Sequence, residues 1–115
     1  APAVSVTWGL MGDFEANNWS NEIALVAEGG LYVAQDVVFA NANNEGLVFK
    51  VRKNGSWDTS YGVAGTAAFE LGAAIALDGG NNVAINGEAG VKYDVYFDAT
   101  AMKIWVMADG QTPTI

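Results

Sequence analysis

Apolar residues recur along the chain at every second position or in short runs, separated by clusters of Gly, Asn and Asp. That alternation marks half-buried strands joined by tight turns. It predicts strands over 4–11, 22–27, 31–40, 47–53, 83–85, 91–98 and 102–108. Polar loops fall at 13–21, 41–46 and 78–82, with turns at 28–30 and at Ala99-Thr100. In the segment 47–53, Leu47, Phe49 and Val51 share one face, and Val48, Lys50 and Arg52 share the other. Asn54-Gly55 marks a tight turn or loop entry. The stretch 56–65, which carries Trp57 and Tyr61, reads as irregular. The stretch 66–77 has alanines enough for a helical turn, but Gly72 and the β-branched neighbours favour short strands. Residues 111–115, with Pro113, read as a terminal linker.

Seven or eight short strands at regular spacing, without a long helix, predict an all-β protein: an antiparallel β-sandwich. No Cys…Trp…Cys pattern is present, so this is not an antibody-type domain. A length of 115 residues fits one domain spanning 1–115.

Composition then removes whole classes of chemistry. The chain has no cysteine and no histidine. It can build no disulfide framework, no Cys/His zinc site and no Ser-His-Asp or Cys-His nucleophile pair. Thirteen acids face five bases, for a formal charge of −8. Phosphate backbones and anionic membrane surfaces are poor partners for such a chain, so no nucleic acid is expected. No apolar run approaches the ~18 residues of a membrane span, so the segment is not expected to insert into a bilayer. No signal peptide is evident, and the chain reads as a mature protein or an excised domain.

Aromatic residues in polar loops carry the most information. Trp19 stands between Asn17-Asn18 and Ser20-Asn21, and Trp57 between Gly55-Ser56 and Asp58. Loops run over the surface, so an indole there either folds back as a plug or is displayed to a ligand. A displayed indole suits a sugar, because one pyranose face is lined with slightly positive C–H groups and the indole face is slightly negative. Hydroxyls then need donors and acceptors at the rim. Lys50 and Arg52 share a strand face that leads into the Trp57 loop, and Asn17, Asn18, Asn54 and Asp58 can complete the rim. The competing reading of the basic run is a solvated face that balances an acidic surface.

Other residues offer less for chemistry. Trp8 reads as core or an edge-strand plug. Trp105 alternates with Ile104 and Val106, and if it faces outward it can pair with Tyr96 as a second patch. Asp13 and Glu15 can face the Trp19 loop, and a glycosidase needs two carboxylates about 5–10 Å apart. A chain this short leaves little room for a deep, water-excluding cleft, so no catalysis is expected. The loop from Asp78 to Asn82 offers oxygens for calcium but lacks EF-hand spacing, and a plain turn is the expectation. No cofactor is expected.

Several motifs together resemble the repeating starch-binding domains of the SusE/SusF-type surface lipoproteins of gut bacteria. They are Trp8-Gly9-Leu10-Met11-Gly12-Asp13-Phe14, Asn18-Trp19-Ser20 and Phe49-Lys50-Val51-Arg52. Asn54-Gly55-Ser56-Trp57-Asp58-Thr59-Ser60-Tyr61-Gly62, Asp78-Gly79-Gly80-Asn81-Asn82 and Ala89-Gly90-Val91-Lys92-Tyr93-Asp94-Val95 follow. The resemblance covers nearly the whole chain. It implies an immunoglobulin-like sandwich that binds α-glucan without catalysis, through two aromatic platforms and a basic residue. On matching positions the platforms are Trp19 and Trp57, and the base is Lys50 or Arg52; Tyr61 belongs either to the site or to the fold of its loop. Two platforms set at an angle would suit a curved α-1,4-glucan better than a flat β-1,4 chain. The resemblance also implies a place at the cell surface, through a longer, outer-membrane-anchored parent protein with other domains. The family's lipid-bearing cysteine is lacking here. Alternative expectations are a spacer or protein-interaction domain of a multi-domain surface protein, or a binder of a different glycan.

Overall fold

The computed structural model describes residues 6–15, 19–20, 22–42, 44 and 46–113. The strands that the alternation predicts form two sheets packed face to face. The first is built on β1 (Trp8–Gly12), β2 (Ile23–Ala24), β5 (Leu47–Lys53), β6 (Ser56–Tyr61), β7 (Phe69–Glu70) and β9 (Val83–Asn86). The second holds β3 (Val26–Glu28), β4 (Leu31–Val38), β8 (Ile75–Ala76), β10 (Lys92–Asp98) and β11 (Lys103–Ala108). The order is β2-β1-β5-β9-β7 in one sheet and β3-β4-β10-β11-β8 in the other. Every strand pairing is antiparallel except β7 with β9. The expected all-β sandwich is what the chain forms.

Strand β5 is the hub of the first sheet. Along one side it pairs with β1 over Phe49 to Lys53. On the other side Leu47–Phe49 pair with β9, and Val51–Lys53 pair with β6. Its period-two pattern sends Leu47, Phe49 and Val51 into the core. Across the sandwich Tyr93, Val95 and Phe97 of β10 do the same. Burying side chains of this size is worth roughly 1.5–3 kcal/mol each. Aromatic contacts join the layers: Trp8 of β1 meets Phe97 of β10 edge-on, with centroids 4.8 Å apart, and Phe39 lies 5.9 Å from Phe49 and 6.3 Å from Tyr93.

Two segments depart from the sequence expectation. The stretch 22–27 is two strands, because the chain changes sheets at Leu25. Ile23–Ala24 pair with β1 in the first sheet, whereas Val26–Glu28 pair with β4 in the second. Leu25 is buried between them, and its N–H donates to the Trp8 carbonyl at 2.9 Å. The stretch 56–65, expected to be irregular, begins with strand β6. Its polar residues lie on a half-exposed strand, where hydrophobic alternation is weak. The alanine-rich stretch 66–77 forms two short strands, β7 and β8, as its Gly72 and β-branched neighbours predict.

Candidate functional site

Strands β5 and β6 form a hairpin whose turn is Asn54-Gly55. Both residues have positive φ, 55° and 66°, as a type I′ turn requires. The register shifts between Arg52 and Lys53, which pair with Ser60 and Ser56. The Thr59 hydroxyl pins the extra residues by donating to the Lys53 carbonyl at 2.6 Å. This hairpin brings Trp57 over the outward face of β5. The Arg52 guanidinium lies over its ring at 5.0 Å from the centroid, and the Lys50 ammonium at 5.9 Å. Such cation–π contacts hold an indole in place and are worth about 0.5–1 kcal/mol at exposed sites. Trp57 nonetheless keeps 49% of its surface in solvent.

Trp19 reaches the same place from an earlier segment of the chain. Its N–H donates to the Gly12 carbonyl at 2.9 Å, which ties Trp19 to the end of β1. Its φ is 59°, a conformation L-residues adopt at a cost of about 1–2 kcal/mol. The two indole centroids are 6.1 Å apart, with planes inclined at 34°. Met11, opposite Lys50 on β1, is buried although Leu10 beside it takes the inward direction. The base of the patch is therefore packed.

Arg52 is anchored from behind. Its Nε donates to Glu22 Oε1 at 3.0 Å in a part-buried ion pair. Glu22 lies just before β2 and reaches Arg52 across β1. It can cross there because Gly9 faces Arg52 in register and has no side chain; a methyl group on Gly9 would overlap Glu22. Sequence reasoning missed Glu22, since its partner is thirty residues away. The available signal was an isolated glycine within a strand, which marks close approach by another group.

The other candidate residues are placed differently. Asn18 and Asn17 lie outside the described residues. Asn54 spends its side chain on the fold: its Oδ1 accepts from the Thr7 N–H at 3.0 Å, while its own N–H donates to the Thr7 carbonyl at 2.7 Å. Tyr61 pairs with Val51 and packs on Trp8 at 5.8 Å, which puts its ring against the core and away from the Trp57 face. Lys53 lies over the Trp8 ring at 5.9 Å and covers the end of the core, so the basic run divides between the two faces of β5. Asp58 follows Trp57 and is exposed, with its N–H donating to Ser56 Oγ at 3.1 Å.

The second aromatic patch required a displayed Trp105, and the ring is buried instead. Trp105 lies across from Tyr96 in register, but only 5% of its surface is exposed. Asp13 is fully buried, and its Oδ1 accepts from the Ala42 N–H at 3.1 Å, so it serves the 41–46 loop. In the loop after β8, the Asp78 carboxylate accepts from the Ala64 N–H at 3.0 Å, and Gly79 and Asn81 bridge to Gly62 and Val63. That loop is tied to the 62–64 segment by these bridges. Asp36, Asp94 and Asp109 bring carboxylate oxygens within 4.8 Å of one another. Asp94 already accepts from the Asp36 N–H at 3.2 Å and the Gly110 N–H at 3.0 Å.

The patch thus offers two inclined indole faces, cationic donors beside them and a packed base. It suits the apolar face of a ring-shaped ligand with polar groups at its edge. No family model matches the chain, and neither the curated proteins nor the solved structures yield a match.

Proposed function

We propose that this chain is a non-catalytic module that binds α-glucan at the Trp19–Trp57 surface. The observation that carries the reading is the indole pair itself, 6.1 Å apart and inclined at 34°, with Trp57 half in solvent. Each ring can receive the C–H face of one glucose residue, and their inclination follows a chain that curves. Lys50 and the free amino groups of Arg52 are donors for hydroxyl groups at the rim. A neutral polymer also suits a chain of charge −8 with no histidine or cysteine for nucleophilic chemistry. The same proposal, drawn from the family resemblance, has the module carried at the cell surface by a longer, outer-membrane-anchored protein.

A single open site of this kind should bind with Kd between about 1 μM and 1 mM. Electrophoresis through native gels containing amylopectin tests the reading. The wild type should be retarded, and Trp19→Ala and Trp57→Ala should run as they do without polysaccharide. Trp57→Ala should lower unfolding free energy by only about 1 kcal/mol, since the ring is half exposed and gives up little beyond its cation–π contacts. Wild-type migration that ignores amylopectin overturns the proposal. Retention on a different glycan in a panel would redirect it, and silence across the panel would favour a spacer or protein-contact domain.

A further inference from the structure

Among the described residues, Glu22 is the one acidic side chain that holds a cation of the patch. We propose that Glu22 is the positioning residue of the Trp19–Trp57 platform, acting through Arg52 and admitted by Gly9. The proposal rests on the glycan reading for its consequence in binding, but not for its geometry.

An arginine side chain has four torsions and loses much freedom when fixed. The Trp57 ring alone is a broad, weakly directional partner. The Glu22 carboxylate removes that freedom by taking Nε, at 3.0 Å. A guanidinium is planar, so fixing Nε restricts the plane as well as the position. The plane beneath Trp57 is thereby restricted, and Trp57 in turn packs at 6.1 Å from Trp19. The two Nη amino groups, which Glu22 leaves unused, remain to donate to a ligand. Only a residue without a side chain at position 9 leaves the carboxylate a path across β1.

The test has a readout that needs no ligand. Two indoles this close couple their transition dipoles, which produces paired bands of opposite sign in circular dichroism. Glu22→Ala should cut that couplet by about half or more and raise Kd for maltoheptaose about five-fold, a modest coupling for a contacting network. Glu22→Gln, whose amide oxygen still accepts from Nε, should keep most of both. Gly9→Ala should reproduce the Glu22→Ala couplet, because the new methyl evicts Glu22. Gly9→Ala added to Glu22→Ala should lower the couplet no further, because nothing is left to evict. A full couplet in Glu22→Ala, or losses that add in the double variant, would overturn the proposal. If the wild type binds no maltoheptaose, the glycan reading falls, and the couplet series still decides the role of Glu22.

Discussion

Tyr96 shows how one residue's surroundings become a property of the whole fold. It shares the outward side of β10 with Asp94, whose carboxylate is buried and ties down Asp36 and Gly110. Burial, then the Asp94 carboxylate, then that of Glu28, push the Tyr96 phenol above its ordinary value of 10.0. Each of these opposes a negative charge on the ring oxygen. The unfolded chain therefore gives up this proton before the folded chain does. The stability linked to Tyr96 is complete below the ordinary value and drains away as pH rises through the folded one. Urea denaturation at about pH 9 and pH 11 checks this. The wild type should lose more stability between the two than Tyr96→Phe, and parallel losses would contradict it.

At the scale of elements, the hairpin of β5 and β6 sets where Trp57 stands. Gly55 has φ of 66°, and a β-carbon there would be strained although nothing crowds it. Gly55→Ala should cost about 1 kcal/mol in urea denaturation and loosen the register beyond the turn. The β5 strand was legible because Leu47, Phe49 and Val51 alternate with Val48, Lys50 and Arg52 over a full seven residues. Strand β6 was not, because Ser56, Asp58, Thr59 and Ser60 supply no apolar period, and its pairing comes from the turn before it. The division at Leu25 was equally hidden. An alternation of two reads the same whichever sheet accepts the backbone hydrogen bonds. The meeting of Trp57 with Lys50 and Arg52 followed from local spacing. Glu22 did not, since its place depends on β1 lying between β2 and β5, which no local pattern encodes.

For the whole molecule, the order of strands governs how quickly it can form. Strand β1 lies between β2 and β5, and β4 pairs with β10, so the pairings join distant parts of the chain. Closing those loops costs entropy before any contact repays it. Stopped-flow refolding followed by tryptophan fluorescence should give times between about 1 ms and 1 s, as for other sandwiches of high contact order. Refolding in microseconds would show that local contacts dominate. The crossing at Leu25 has a mechanical consequence of its own. Two sheets joined by side-chain packing alone can slide over each other under load. Here the backbone passes from one to the other between two hydrogen-bonded segments, Ile23–Ala24 and Val26–Glu28, like a stitch through two layers of cloth. The stitch begins one residue after Glu22, so a pull applied at the Trp19–Trp57 patch meets a seam rather than a free edge.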